Sequence, residues 1–456
     1  MGRALQKLLI ANRGEIACRI IRSARALGLA TVAVHSDADA GALHVALADE
    51  AVPIGPAKPS ESYLKIDNIL GAARATGADA VHPGYGFLAE NEGFARAVAE
   101  AGLVWVGPTP ESIEAMGDKA RARALAEASG VPVLPGSRRF PEGDLDGIEA
   151  AGDTVGFPLL VKASGGGGGI GMRVVDAPAE LRKVAESTQG MAARSFGDGA
   201  VFLERYVRSA RHVEVQVFGL GDGSAVHLFE RECSVQRRFQ KIVEESPSPG
   251  ISAATRDRMT AAAVALAEAV HYRGAGTIEF VVDDDTGEFF FLEMNTRIQV
   301  EHPVTEAVTG RDLVALQLRL AAGEAVDLRQ EEIRQSGHAI ECRLYAENPA
   351  KMFLPQPGTL TRLVLPEGLE GIRVDTGVRQ GDTVTPFYDP MIAKIIAHGP
   401  DRAAAIARML AALGQVEVEG LVANAPFLAR TVDHPAFREG RTTTGFVDTH
   451  KAALIG

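Results

Sequence analysis

Short apolar segments alternate with helix-length amphipathic segments over roughly the first 110 residues, and this alternation restricts the fold more than any other feature. Residues 8–11 and 31–34 are short apolar runs, of the kind that form buried strands. Residues 15–27 between them have apolar side chains at helical spacing, and Gly28 ends that pattern. The same succession continues to strands at residues 78–81 and 104–106. Because adjacent parallel strands need a long, usually helical connection, the sequence predicts a parallel α/β domain here.

In the middle of the chain, strand-like segments follow one another without intervening helices. Residues 201–207, 212–218 and 225–229 form one such series, and residues 277–282 and 288–293 flank the turn-forming sequence DDTG. This succession is typical of antiparallel sheets, so the predicted fold class is α/β in the N-terminal part and α+β beyond it. A chain of 456 residues has the length of a multidomain protein.

The composition disfavours several kinds of function. The net charge of −12 argues against nucleic acid as a partner, because binding to phosphates needs a basic surface. Cys18, Cys233 and Cys342 are far apart and lack metal-ligand spacing, which predicts a reducing cytoplasm rather than a disulfide framework. No stretch approaches the ~20 apolar residues of a membrane span, and the N-terminus has no signal-peptide pattern, so no membrane is expected.

The glycine run SGGGGGIGMR at residues 164–173 lies between two predicted strands, at residues 157–163 and 172–175. An isolated run of this kind is as often a flexible linker as a binding loop. Between strands, however, glycines allow consecutive backbone N–H groups to converge on an anion. Lys162 and Lys119 would add the positive charge that a triphosphate needs. The run fits neither the P-loop pattern nor the glycine pattern of dinucleotide-binding folds.

Two carboxylates lie within the apolar strands of the predicted hairpin. Glu279 and Glu293 have apolar neighbours on both sides, and Asn295 shares a strand face with Glu293. Carboxylates are costly in such strands unless they bind a metal or a cationic partner. The sequence therefore predicts a site for Mg²⁺ (or Mn²⁺), with salt bridges at the sheet rim as the alternative.

Two further segments carry polar side chains, although neither segment decides a function alone. Arg297, Gln299 and Glu301 alternate, so an extended backbone would direct an arginine fork and a carboxylate base to one side. Residues 231–241 are densely basic, and by themselves they are more often a solvated surface than a site. His212 alternates with polar residues on a predicted strand, where a single histidine is usually structural.

Five motifs occur together in this chain: HPGYGFLAEN (82–91), KASGGGGG (162–169), ERECSVQRRFQK (230–241), EMNTRIQVEHPVTE (293–306) and GHAIECR (337–343). On these motifs the chain resembles the biotin carboxylase family, the ATP-grasp enzymes that carboxylate biotin. The resemblance runs essentially end to end and implies three domains. These are an N-terminal parallel α/β (pre-ATP-grasp) domain over 1–117, an ATP-grasp domain over 118–335 with a mobile lid at about 133–207, and a C-terminal biotin carboxylase domain over 336–450.

The resemblance, carried onto the matching positions, implies the site residues. ATP would contact Lys119, Lys162, Gly166, Gly167, Gly168, Gly169, Met172, Glu204, Arg205, Val207, His212 and Gln236. Magnesium would be bound by Glu279, Glu293 and Asn295. Bicarbonate would lie among Lys241, Arg297, Gln299, Val300 and Glu301, and biotin beside Tyr85 and Arg343.

The resemblance also implies the chemistry and the partners. Glu301 would act as general base on bicarbonate, whose attack on ATP gives carboxyphosphate. Lys241 and Arg297 would stabilise the anionic transition state, and Arg343 would stabilise the enolate of biotin. The implied partners are a biotin carboxyl carrier protein and a carboxyltransferase as separate chains, and a second copy of this chain. The final carboxyl acceptor, an acyl-CoA or urea, is left open.

Two residues depart from the family pattern, and alternative functions stay open. Ile170 stands where the family usually has Arg or Lys, and an isoleucine at this position is similar to the urea carboxylase branch. Phe239 stands where the family usually has His near the ribose. A urea-carboxylase-like component is therefore one alternative. A non-catalytic ATP-binding regulatory subunit would need gaps in the catalytic set, and the sequence has none. Another ATP-grasp ligase, acting on a purine precursor or a peptide, is disfavoured by RIQVEHP together with HPGYGFL.

Overall fold

The computed structural model of the chain describes residues 5–164, 171–196 and 198–455. The predictions made for Gly166, Gly167, Gly168, Gly169 and Ile170 lie outside these ranges. Among the described residues, no helix combines the length and the apolar character that a membrane span requires. The three cysteines are buried and free of disulfide bonds.

The N-terminal part is a five-stranded parallel sheet with helices, as the sequence predicts. Its strands are β1 (Lys7–Ile10), β2 (Ala30–His35), β3 (Glu50–Pro53), β4 (Ala80–His82) and β5 (Val104–Trp105), in the order β3-β2-β1-β4-β5. Its helices are α1 (Gly14–Ala26), α2 (Leu43–Leu47), α3 (Ile66–Thr76), α4 (Glu92–Glu100) and α5 (Pro110–Gly117). Strand β3 was not predicted, because it is a largely exposed edge strand without an apolar run.

A small antiparallel sheet follows, in the region predicted as the lid. The elements are α6 (Lys119–Ala128), α7 (Ile148–Val155), β6 (Leu159–Ala163), β7 (Met172–Val175), α8 (Leu181–Phe196) and β8 (Val201–Arg205), and the strand order is β7-β6-β8. Strands β6 and β7 pair with Lys162 opposite Met172. The two strands that flank the glycine run are therefore hydrogen-bonded neighbours, which confirms the predicted hairpin and disfavours a linker between separate units.

The largest sheet has eight antiparallel strands. Its first six strands in chain order, with the helices between them, are β9 (Ala210–Leu220), β10 (Ala225–Arg237), β11 (Gln240–Ser246), α9 (Ala253–Ala269), β12 (Arg273–Asp283), β13 (Phe289–Asn295), α10 (His302–Thr309), α11 (Leu313–Ala321) and β14 (His338–Tyr345). Short strands come next: β15 (Glu347–Asn348), β16 (Leu354–Pro355), β17 (Gly358–Thr359) and β18 (Arg362–Val364). The remaining strands are β19 (Ile372–Thr376), β20 (Thr383–Val384), β21 (Met391–Gly399) and β22 (Glu417–Glu419). Helices α12 (Arg402–Leu413), α13 (Ala425–Asp433), α14 (Pro435–Arg438), α15 (Phe446–Thr449) and α16 (Lys451–Ile455) complete the chain.

The order of the eight strands is β13-β12-β9-β10-β11-β14-β21-β19. The sheet therefore continues across the boundary predicted at residue 335, because β14 pairs with β11 from Val243 opposite Cys342 to Ser246 opposite Ala339. Helix α10 packs against β10, β11, β14 and β21 and covers one face of the sheet at this junction. The residues around the start of α10 are thus placed where the middle and C-terminal parts of the chain meet.

Candidate active site

A cleft of about 670 Å³ opens where the N-terminal sheet, the eight-stranded sheet and the C-terminal strands meet. Tyr85 contributes to its lining from the N-terminal part, and Arg343 contributes from β14. The other predicted site residues that line it come from the middle of the chain: His212, Lys241, Glu279, Glu293, Asn295, Arg297, Gln299, Val300 and Glu301. Residues predicted separately for metal, bicarbonate and biotin therefore face one cavity.

Lys241, near the start of β11, is surrounded by carboxylates in this cleft. Its Nζ atom donates to Glu214 Oε2 at 2.5 Å, to Glu279 Oε1 at 2.8 Å and to Glu301 Oε1 at 2.8 Å. Burial alone would lower the pKa of the ammonium group, but the three carboxylates raise it well above its ordinary value. Lys241 therefore stays charged and holds three carboxylates in place.

Glu301 immediately precedes helix α10 and is completely buried. Its Oε1 atom accepts from Lys241, and its Oε2 atom accepts from Arg343 Nη2 at 3.0 Å. Burial would raise the pKa of this carboxyl group, but the charges of Lys241, Arg343 and Arg231 lower it well below its usual range. Glu301 is thus an ionised carboxylate with both oxygens paired, and it can accept a proton once a substrate displaces one of these donors.

The carboxylate pair predicted on the hairpin is present, with Glu279 on β12 directly opposite Glu293 on β13. Glu279 is buried, and it pairs with His212 Nε2 at 2.7 Å and accepts from Asn295 Nδ2 at 2.9 Å. The carboxylate of Glu293 makes no hydrogen bond or ion pair with any residue in the described ranges. Partial enclosure and the charge of Glu279 raise the pKa of Glu293. An uncompensated carboxylate beside other oxygen donors fits a hard cation such as Mg²⁺ better than a salt bridge.

Arg297 is held by a residue from the N-terminal part of the chain. Its Nε atom donates to Glu90 Oε2 at 2.9 Å, and its Nη2 atom donates to Asn295 Oδ1 at 2.9 Å. The backbone here turns instead of being extended, because it leads directly into helix α10. The predicted extended backbone is therefore wrong, although Arg297, Gln299 and Glu301 all line the cleft. Glu90 was missed, since its motif gave no indication of its partner.

The basic stretch at residues 231–241 is not the solvated surface that it suggests when considered alone. Arg231 on β10 is fully buried, and its guanidinium group donates to four side chains: Glu214, Gln216, Thr277 and Thr305. Glu214 thus receives Arg231 on one oxygen at 2.5 Å and Lys241 on the other. Neither Arg231 nor Glu214 was predicted as a site residue. The alternation of Glu214 with valines on β9 is the signal that could have indicated it.

The residues predicted for ATP lie largely outside the lining of this cleft. Lys162 on β6 donates to Glu204 Oε1 on β8 at 2.6 Å. Gln236 lies beside His212, with 2.7 Å between Gln236 Nε2 and His212 Nδ1. Of the other described residues that were predicted to contact ATP, Val207 is buried, whereas Lys119, Met172 and Arg205 are exposed. The lid sheet and the cleft thus carry two groups of residues, and a nucleotide between them remains a prediction.

A charged group below the cleft connects the N-terminal and C-terminal parts of the chain. The hydroxyl of Tyr85 donates to Glu15, and Lys394 Nζ lies 3.1 Å from Glu15 Oε2. Lys394 also donates to the carbonyl oxygen of Val300 at 2.8 Å. Burial and the charge of Glu15 raise the pKa of Tyr85 well above its ordinary value, so the hydroxyl keeps its proton. Glu15 and Lys394 were not predicted, and they fix the positions of two cleft residues.

Family models match almost the whole chain. Residues 4–113 match the model described as "Biotin carboxylase, N-terminal domain". Residues 118–329 match "Carbamoyl-phosphate synthase L chain, ATP binding domain", and residues 341–449 match "Biotin carboxylase C-terminal domain".

Individual relatives agree with these matches. A biotin carboxylase of Halalkalibacterium halodurans is 51% identical over 451 residues, which cover 99% of each chain. The mitochondrial methylcrotonoyl-CoA carboxylase subunit alpha of Glycine max is 49% identical over 451 residues, and the alignment covers 99% of this chain but 61% of that relative. The biotin carboxylase domain dimer of Hydrogenobacter thermophilus 2-oxoglutarate carboxylase, solved with MgADP, ADP and bicarbonate, has a TM-score of 0.89 at 43% identity, covering 99% of both chains.

Proposed function

Since this chain belongs to the biotin carboxylase family of ATP-dependent ligases, we propose that it carboxylates biotin on a carrier protein, using ATP and bicarbonate. The observation that carries the proposal is the position of Glu301. This ionised carboxylate lies between Lys241 and Arg343 in a cleft that also contains Arg297 and Tyr85. One cavity therefore contains a general base, Glu301, and two cations that can bind small anions, Lys241 and Arg297. It also contains the aromatic ring of Tyr85, against which an uncharged ring system can pack.

In the proposed reaction, bicarbonate displaces Glu301 from Lys241 and also binds Arg297. Loss of the hydrogen bond from Lys241 raises the proton affinity of Glu301, which then accepts the bicarbonate proton as the oxygen attacks the γ-phosphate of ATP. Lys241 and Arg297 stabilise the carboxyphosphate that forms. Its decomposition gives carbon dioxide and phosphate, and the phosphate removes the N1′ proton from biotin while Arg343 stabilises the enolate. The deprotonated nitrogen then attacks carbon dioxide and forms carboxybiotin.

Glu279, Glu293 and Asn295 would hold Mg²⁺ (or Mn²⁺) at the edge of this cleft. When bound, the cation neutralises charge on the phosphates of ATP during transfer. The ATP itself would extend towards Lys162, Glu204 and the lid sheet. Closure of the lid would exclude water, which otherwise hydrolyses carboxyphosphate.

The partners in this proposal are a biotin carboxyl carrier protein and a carboxyltransferase. The dimeric relative supports a homodimer, and the buried free cysteines support a reducing cytoplasm. The acyl-CoA carboxylase relatives favour an acyl-CoA as final acceptor. A urea-carboxylase-like component is the second candidate, and it rests on Ile170.

The proposal is tested by measuring ADP release by the purified chain with bicarbonate and Mg²⁺, with and without free biotin. We expect ADP release to require bicarbonate and to increase with biotin, and labelled bicarbonate to appear in carboxybiotin. ATP hydrolysis that does not respond to bicarbonate would contradict the proposed reaction. A regulatory subunit without catalytic activity would bind ATP but release no ADP.

Phe239 gives a prediction that is specific to this chain. Arg238 and Phe239 form the two-residue turn between β10 and β11, both with positive φ, and the Phe239 side chain is 75% exposed at the cleft. Histidine tolerates this backbone conformation and would add a hydrogen-bond donor beside the proposed ribose position. We therefore expect Phe239→His to lower the KM for ATP by about 2- to 10-fold, the value of one hydrogen bond.

The matched control is Phe239→Ala, which removes the ring without adding a donor and is expected to leave the KM for ATP near or above its original value. The gain in Phe239→His should be smaller with ATP analogues that lack a ribose hydroxyl. Equal KM values for ATP in the histidine and alanine variants would contradict a position beside the ribose.

A further inference from the structure

Glu244 and Glu341 form a buried carboxylate pair behind the cleft. They lie directly opposite each other on β11 and β14, in the part of the sheet covered by helix α10. Both side chains are completely buried. In the described part of the chain, neither carboxylate oxygen of Glu341 has a hydrogen-bond partner, and Glu244 has an ion pair with Arg343. Such a pair does not remain doubly ionised, because the two buried charges would repel each other and that of Glu341 would lack a donor.

The two nearest cations, Arg343 and Lys394, also pair with carboxylates outside the pair. Arg343 Nη2 forms ion pairs with both Glu244 Oε1, at 2.5 Å, and Glu301 Oε2, at 3.0 Å. Lys394 is engaged by Glu15 and by the carbonyl oxygen of Val300. A single guanidinium nitrogen therefore lies between two carboxylates, and it can fully compensate one of them.

Charged and titratable groups face this pair from all surrounding elements. Those that interact electrostatically with it are Lys241 on β11, Cys233 on β10, Cys342 and Arg343 on β14, Lys394 on β21, and Glu301 directly before α10. The cations among them also pair with Glu214, Glu279, Glu301 and Glu15, so the pair has only a share of Arg343. Protons are therefore the remaining means of compensating the second charge of the pair.

We propose that this pair holds at least one proton at neutral pH, and that Glu244, while protonated, acts as a positioning residue that leaves Arg343 directed at Glu301 and the biotin position. While Glu244 is protonated, Arg343 has one anionic partner. When Glu244 loses its proton, a second anion competes for the same guanidinium group. The pair then acts as a pH-dependent control on the residue that stabilises the enolate.

The electrostatics of the pair agree with this geometry. Burial, followed by the charge of Glu301, raises the pKa of Glu244 to about 7. Burial raises the pKa of Glu341 well above its ordinary value, and the charge of Glu244 adds to that effect. Between the two, Glu244 is the group that titrates near neutral pH, whereas Glu341 keeps its proton.

The first test is a pH titration of the purified full chain by infrared spectroscopy, which detects the carbonyl stretch of protonated carboxyl groups. Between about pH 6 and about pH 8, the original protein should lose one such band. Glu244→Gln should lack that band change, because glutamine has the shape of protonated glutamate without its acidic proton. The matched control Glu245→Gln should retain it, since Glu245 is ionised by His338 and Arg402.

Absence of a band change in the original protein, or its persistence in Glu244→Gln, would overturn the proposal that Glu244 gains and loses a proton in this range. This measurement needs no catalysis, so it decides the proposal even if the proposed carboxylation fails. The kinetic test rests on the proposed function and compares carboxybiotin formation by Glu244→Gln and the original protein over the same pH range. We expect the rate of Glu244→Gln divided by the rate of the original protein to rise several-fold as the pH increases through 7. A constant ratio would remove the positioning role of Glu244.

Discussion

Replacement of Glu301 by glutamine is expected to lower bicarbonate-dependent ATP hydrolysis by about 100-fold or more, the usual loss when a general base is removed. Glutamine keeps the size of glutamate and one acceptor oxygen, but it cannot take a proton from bicarbonate. The carboxylate of Glu301 is buried and ionised next to Lys241, so no neighbouring water can readily replace it as the base. The measurement is the rate of ADP release at saturating ATP and bicarbonate.

Two controls distinguish loss of chemistry from loss of structure. ATP binding by Glu301→Gln, measured by calorimetry, is expected to remain, because the proposed nucleotide residues lie on other elements. Glu331→Gln makes the same substitution at an exposed glutamate and is expected to retain full activity. Full bicarbonate-dependent turnover in Glu301→Gln would remove Glu301 from its proposed role.

Replacement of Arg231 by methionine is expected to lower the free energy of unfolding by about 3–5 kcal/mol, the typical cost of breaking a buried ion pair. The guanidinium group is completely buried and donates to four side chains, which lose their donor together. Methionine fills similar space, so the expected loss comes mainly from the uncompensated Glu214. The measurement is equilibrium unfolding in urea, monitored by circular dichroism.

The matched control is Arg329→Met, which removes an exposed arginine and is expected to change the free energy of unfolding by about 1 kcal/mol or less. Arg231→Lys provides an intermediate case, since lysine keeps the charge but cannot serve four acceptors. A loss as small as that of Arg329→Met would show that the buried network around Arg231 contributes little to stability.

Local patterns predicted much of the fold, because they report on elements that form from nearby residues. The N-terminal alternation gave the parallel sheet, and the segments around DDTG gave the hairpin that carries Glu279 and Glu293. The burial of Arg231 could not be predicted in this way. Whether a basic strand is solvated depends on the strands and helices that later cover it, and these come from distant parts of the chain.

The site shows the same distinction between local and distant information. Glu301 and Arg297 were predicted from one segment, but Glu90 holds Arg297 from the N-terminal part. Glu244 and Glu341 occupy strands whose pattern of charged and apolar residues is equally compatible with a solvated face. Only the register of β11 against β14 and the position of α10 bring the two carboxyl groups together out of water.

The pairing of β11 with β14 also limits how this protein can be divided. A cut in the chain just before β14 would leave each fragment with a long unpaired strand edge, and exposed edges of this kind promote aggregation. The site would be divided as well, because Arg343 would be on one fragment and Glu301 on the other. Gene fission, split reporters and domain exchange at this junction are therefore unsuitable, and the two parts are expected to be inherited and engineered as one unit.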